Sequence, residues 1–238
     1  MSNGRISLGF MSCSQSNING MSFVVFDLDG TLIDSRLDLA ESTNEMLGMY
    51  GAVPLPVDRV AMMVGEGARK LVERALEAVG LDPAEPEALP RFLEIYGRRL
   101  LVHTRPYDGI PGAIARLSTE HTLAVLTNKP GEPTRRLLDA FGLTSHFRRI
   151  VGGDSEWARK PDPAGLRALM DAHGAQASDT WFVGDSMIDV ETARRAGVRM
   201  CVVLYGFGQL RGELVLDGTE SIARTPGEIV NIIHQSQS

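Results

Sequence analysis

Phe23-Val24-Val25-Phe26-Asp27-Leu28-Asp29-Gly30-Thr31 is the stretch whose reading decides the fold. If the apolar run is a strand, side chains alternate with a period of two, so Asp27 and Asp29 point the same way where the strand leaves its sheet. Two carboxylates at one spot can divide labour: one attacks as a nucleophile or binds a cation, while the other moves a proton. Asp29-Gly30 between apolar segments is also a hairpin signal. The residues that follow favour a helix instead, because Leu37, Leu39, Ala40, Met46, Leu47 and Tyr50 recur at helical spacing.

Composition narrows the class. The chain has 238 residues, 43% of them hydrophobic and 23% charged, which suits one large globular domain or a domain with an insertion. A net charge of −6 without any Lys/Arg cluster argues against a nucleic-acid partner. No apolar stretch approaches the roughly 18 residues of a membrane span, so no membrane partner is expected. Cys13 and Cys201 are the only cysteines, a count that excludes a disulfide framework and fits a reducing, cytoplasmic compartment. The five histidines are scattered without ligand spacing. Residues 1–20 are rich in Ser, Asn and Gly and predict a disordered tail. They lack the basic start and apolar core of an export signal, and Met11 or Met21 is an alternative start.

From Met21 onward, short β-rich runs alternate with helical patterns. Strands are expected near 22–27, 121–127, 148–151, 180–184 and 199–204. That order predicts an α/β fold: a Rossmann-like parallel sheet with helices on both faces and ligands at the carboxyl ends of its strands. The runs Phe23–Phe26 and Leu123–Leu126 are almost continuously apolar, as strands covered on both sides should be. Between the first two strands lie helical patterns at about 36–50, 57–64, 67–79 and 87–102. This interval is too long for a simple crossover and reads as an inserted α-helical cap domain. The expected division is a core of 21–34 and 104–238, with the cap at 35–103.

The other strand ends supply further polar groups. Thr127-Asn128 brings a hydroxyl and backbone N–H groups to the start of a helix, which suits an anion or a helix cap. Lys160-Pro161 follows the third strand, where an isolated Lys is ordinarily solvated. In Gly184-Asp185-Ser186-Met187-Ile188-Asp189, Ser186 and Asp189 have capping-box spacing, whereas Asp185 is better explained as part of a cation site.

In order and spacing, Asp27-Leu28-Asp29-Gly30-Thr31, Thr127-Asn128, Lys160-Pro161 and Gly184-Asp185-Ser186-Met187-Ile188-Asp189 resemble the four motifs of the haloacid dehalogenase-like phosphatases. The resemblance runs from Met21 to about Arg224. Asp34-Ser35, Val64-Gly65-Glu66-Gly67-Ala68, Leu126-Thr127-Asn128-Lys129-Pro130, Gly152-Gly153-Asp154 and Tyr205-Gly206-Phe207 are similar to its phosphoglycolate phosphatase branch, although Met63 stands where these often carry tryptophan. The resemblance implies a small phosphorylated substrate and attack by Asp27 to form an aspartyl-phosphate. Asp29 would be the acid and base, and Thr127, Asn128 and Lys160 would hold the phosphoryl oxygens. It also implies Mg²⁺ held by Asp27, Asp29 through its backbone carbonyl, and Asp185, with Asp189 positioning either Lys160 or a metal-bound water. Mg²⁺ prefers few carboxylates and several waters, consistent with so sparse a set. In the cap, Gly65, Gly67 and Arg69 are the expected substrate-side residues, at the start of a helix whose free N–H groups suit an anion. A related phosphatase for another small phosphate, such as a sugar phosphate or pyrophosphate, a phosphoglucomutase, a phosphoacceptor of the receiver type and a silent binding protein are the alternatives. The sequence leaves the oligomeric state open.

Overall fold

The computed structural model describes residues 21–208, 212 and 214–235; the expected tail at 1–20 lies outside them. The chain begins with β1 (Phe23–Phe26), β2 (Ile33–Asp34) and four helices, α1 (Arg36–Gly48), α2 (Val57–Ala61), α3 (Ala68–Ala78) and α4 (Ala88–Arg99). It continues through β3 (Arg105–Pro106), α5 (Ile110–Glu120), β4 (Thr122–Leu126), α6 (Gly131–Ala140) and β5 (Phe147–Val151). The remaining elements are α7 (Ala164–His173), β6 (Thr180–Gly184), α8 (Met187–Ala196), β7 (Arg199–Val203), β8 (Ser221–Ala223) and α9 (Pro226–Gln235). Six strands form one parallel sheet in the order β5-β4-β1-β6-β7-β8.

The alternation along β1 explains why both faces are covered. Val24 and Phe26 join a core with Ile110 and Ile114 of α5 and Ile229 and Ile233 of α9. Phe23 and Val25 pack on the opposite side with Leu166 and Leu169 of α7 and Val190 and Ala193 of α8. Every residue of β1 is buried, as a central parallel strand requires. The first core continues into α1, α3 and α4 through Leu39, Met46, Leu71, Leu76, Phe92 and Ile95.

The Asp29-Gly30 turn does not make a hairpin. Leu32 N–H donates to the Leu28 carbonyl at 2.9 Å and Gly30 N–H to Ile33 at 2.9 Å, after which the chain forms two-residue β2 and enters α1. Gly30 has φ of +90° and packs on the Asp185 carboxylate, where a Cβ would collide, so both conformation and space require glycine. Strand β2 pairs antiparallel with β3, matching Asp34 to Arg105. The helices α2 and α4 stop short of their expected ends at 64 and 102. In both, the chain leaves through three-residue turns, Val64 N–H to Ala61 O and Val102 N–H to Arg99 O.

Buried Asp38 on α1 ties down the returning chain. Its carboxylate accepts from His103 N–H at 3.0 and 2.9 Å, Thr104 N–H at 2.8 Å and Thr104 Oγ1 at 2.7 Å. Those donors account for a carboxylate that would be costly to bury alone. No helix among the described residues is long and apolar enough to cross a membrane.

Candidate active site

The carboxyl ends of the three central strands converge. Asp27 follows β1, with its N–H still bonded to Val183 O at 2.9 Å; Thr127 follows β4 and bonds Val151 O at 3.0 Å. Asp185 and Ser186 follow β6 at the start of α8. Buried Lys160, from the loop before α7, reaches across them: its Nζ is 2.8 Å from Asp27 Oδ1 and 2.6 Å from Asp189 Oδ1. Burial disfavours the ammonium, but Asp189 and Asp27 outweigh it and hold Lys160 above its ordinary pKa.

Asp189 has a double task. Oδ1 takes Lys160, and Oδ2 accepts from Ser186 N–H at 3.1 Å and Ser186 Oγ at 2.7 Å, the backbone arm of the expected capping box. Lys160, one of the two partners the sequence offered for it, is in contact with it.

Asp185 is fixed from the opposite side. Its Oδ2 accepts from the N–H groups of Phe207 and Gly208 at 2.7 and 2.9 Å, while Tyr205 Oη donates to Thr31 O at 3.0 Å. These contacts give Tyr205-Gly206-Phe207 a structural purpose. Carboxylate oxygens of Asp27, Asp185 and Asp189 all lie within 4.8 Å of one another. Burial pushes Asp27 up to about 6, against the pull of Lys160. Burial, then Asp189 and Asp27, push Asp185 up to about 8. Lys160 pairs with two of these three buried carboxylates, Asp27 and Asp189, and the surplus negative charge is what a divalent cation neutralises. The residues therefore fit such an ion.

Above this cluster is a cavity of ≈ 60 Å³. Asp27, Asp29, Thr127 and Asn128 line it from the sheet side, with Gly65 and Gly67 opposite at the start of α3 and apolar Leu71 and Phe92 on the helical wall. The volume corresponds to a few waters, so the space suits a short molecule. Thr127 Oγ1 accepts from Lys129 N–H at 3.3 Å and retains its own proton to donate.

The Asn128 side chain is engaged within the protein. Its Nδ2 donates to Gly65 O at 2.8 Å and Lys160 O at 2.9 Å, and its Oδ1 accepts from Lys160 N–H at 2.9 Å. Both amide hydrogens are engaged, so what Asn128 has left for a phosphoryl oxygen is its backbone N–H. Arg69 departs from the expected role: it is exposed and absent from the cavity wall. Ala68 and Leu71 are the α3 positions facing the cavity, and Arg69 is turned about 100° from Ala68 around the helix.

Lys129 and Tyr96 received no role from the sequence. Lys129 Nζ lies 3.0 Å from each carboxylate oxygen of Asp29 and 2.6 Å from Tyr96 Oη. Asp29 also accepts from Ser35 Oγ at 2.5 Å. The available signal was Lys129 itself, directly after Thr127-Asn128. Tyr96 is hidden in the stripe Phe92, Ile95 and Tyr96, which reads simply as helix core. Gly152-Gly153-Asp154 supports this loop: Gly153 N–H donates to Lys129 O at 2.8 Å, and Asp154 Oδ1 accepts from Gly131 N–H at 2.8 Å.

The description "haloacid dehalogenase-like hydrolase" belongs to a family model that matches residues 24–203. The chain belongs to the haloacid dehalogenase-like hydrolases. Among its relatives is a phosphoglycolate phosphatase of Rhodospirillum rubrum, 42% identical over 194 residues, covering 78% of this chain and 80% of that one. Phosphoglycolate phosphatase 1 of Pseudomonas aeruginosa is 40% identical, covering 79% and 71%. A solved structure described as a predicted phosphoglycolate phosphatase from Haemophilus somnus superposes with a TM-score of 0.83 at 29% identity, covering 90% of this chain and 99% of that one. With relatives of this kind over most of its length, this haloacid dehalogenase-like hydrolase is an enzyme, a phosphatase.

Proposed function

We propose that the enzyme hydrolyses 2-phosphoglycolate to glycolate and phosphate through an aspartyl-phosphate on Asp27. The observation that carries this reading is the Asp27 carboxylate, held by Lys160 at the floor of a small cavity that Asp29 also lines. Asp27 attacks phosphorus in line with the leaving oxygen, and Asp29 supplies that oxygen with a proton. Asp29 then takes a proton from the water that attacks the phosphorus of the aspartyl-phosphate, releasing phosphate and restoring Asp27. Lys160, the Thr127 hydroxyl and the backbone N–H of Asn128 hold the phosphoryl oxygens as their charge redistributes. Asp27, Asp185 and the backbone carbonyl of Asp29 would hold Mg²⁺, whose chemistry when bound is charge neutralisation and orientation.

The helical segment 35–103 serves as the cap over a core of 21–34 and 104–238. Support comes from Gly65, Gly67, Phe92 and Tyr96, which close the cavity opposite the strand ends. Closure excludes bulk water and leaves Asp29 to select the attacking one. The relatives named phosphoglycolate phosphatase, together with the small cavity, support the short substrate. A reducing cytoplasm suits a chain of two cysteines whose Cys201 is a buried free thiol.

The test is phosphate release from 2-phosphoglycolate, sugar phosphates, pyrophosphate and an aryl phosphate, with Mg²⁺ and with EDTA. Mg²⁺-dependent turnover favouring phosphoglycolate is expected. Preference for another substrate would reassign the cap's specificity, and no turnover on any would overturn the reading.

A further inference from the structure

Phosphoglycolate carries a second anion, its carboxylate, and the cavity already contains the carboxylates of Asp27 and Asp29. Another negative charge placed there is repelled unless a cation meets it. Among the described residues Lys129 is the one cationic side chain on the cavity wall; Arg69 is exposed, and the Lys160 ammonium is already paired with Asp27 and Asp189 at the phosphoryl end. The Lys129 side chain is only 5% exposed, and its ammonium sits 4.7 Å from the centre of the Tyr96 ring. Burial opposes its charge, but Asp29 and Tyr96 more than compensate and keep it protonated.

We propose that Lys129 is the specificity-determining residue that binds the non-reacting carboxylate of the substrate, with Tyr96 Oη positioning it. The inference rests on the phosphoglycolate reading. An ammonium has three N–H donors and no acceptor, and here two face the oxygens of one carboxylate, Asp29, at equal distances. Exchanging one of these contacts for a substrate carboxylate oxygen leaves Lys129 satisfied and still joined to both Asp29 and Tyr96. A substrate ending in a neutral hydroxyl offers no charge for that exchange. The same reach makes the pocket selective by length, because Lys129 and Asp27 border one small space.

The experiment compares 2-phosphoglycolate with ethylene glycol monophosphate, in which a hydroxymethyl group replaces the carboxylate. The readout is the ratio of their kcat/KM values in wild type and Lys129→Met. The ratio cancels any general loss caused by freeing Asp29. Loss of one charge-assisted contact is expected to lower it roughly 10- to 100-fold, while Lys129→Arg retains most of it. A ratio that stays within about twofold while both rates fall would make Lys129 merely a holder of Asp29 and overturn the inference, leaving the substrate reading intact. A wild type that does not distinguish the two compounds would overturn both. If Lys129→Met does not fold by circular dichroism, Tyr96→Phe decides. The ratio should then fall several-fold, on the order of one neutral hydrogen bond, and an unchanged ratio refutes the assignment.

Discussion

Lys160→Met removes the cation between Asp27 and Asp189 while keeping an unbranched side chain of similar length. At separations of 2.8 and 2.6 Å and an effective dielectric constant of about 20, the two attractions are each about 6 kcal/mol. Desolvation of the ammonium offsets several kcal/mol of that sum. The variant retains three carboxylates with oxygens within 4.8 Å and no lysine among them. Net destabilisation near pH 8 should therefore be about 3–5 kcal/mol, as for other buried pairs broken on one side. The pH dependence follows from Asp27 and Asp185, whose pKa values in the fold already exceed the ordinary 3.8; that of Asp27 rises further without Lys160. Such a carboxylate costs the fold nothing below its unfolded pKa and progressively more as pH climbs through its folded one. The deficit should consequently shrink between about pH 8 and about pH 5. Urea unfolding of both proteins in EDTA at the two pH values measures it. A deficit independent of pH, or one under about 1 kcal/mol near pH 8, would refute the electrostatic account.

Asp29→Asn should reduce turnover more than about a thousandfold, as expected for a principal acid–base group; near-normal steady-state kinetics would exclude Asp29 from that role. Asp38→Ala strands the N–H groups of His103 and Thr104 and should cost about 3 kcal/mol in chemical unfolding; a loss under about 1 kcal/mol would mean that water replaces the carboxylate. Mg²⁺ should raise the melting temperature more near pH 8 than near pH 5, because protons compete with the ion for Asp27 and Asp185. An equal shift at both pH values would place the ion elsewhere.

The parallel sheet was legible because β1, β4, β6 and β7 are apolar runs that end in turn or helix signals, and three of the four polar motifs sit at the ends of β1, β4 and β6. The short strands were not. Two residues each in β2 and β3, just over seventy apart along the chain, show no periodicity to detect. Three-residue β8 escaped for the same reason. Asn128 and Lys129 illustrate a different limit. Adjacent in sequence, they divide their contacts so that Asn128 binds Gly65 and Lys160 while Lys129 binds Asp29 and Tyr96. Spacing reveals residue type and proximity to a strand end; it does not reveal which distant partner has taken the hydrogen bonds. His121 and His234 make the same point, since rings far apart in sequence lie 5.4 Å apart where α5 and α9 pack. Ser22 N–H donates to His121 Nδ1 at 3.2 Å, which gives that ring a place in the packing.

The pairing of Asp34 with Arg105 means that everything between them leaves and rejoins the sheet at a two-stranded stalk. A segment with both ends pinned side by side can lengthen, shorten or be exchanged without asking the parallel strands to change register, since extra loop length adds only slowly to closure entropy. On the proposed reading the molecule is in that sense modular: its phosphate chemistry would reside in the sheet, and the part that would meet the remainder of the substrate could be grafted as a cassette. Lys129 sits on the sheet side of that seam with Tyr96 on the other, so a transplanted cassette would keep the lysine and need only a new hydroxyl to orient it.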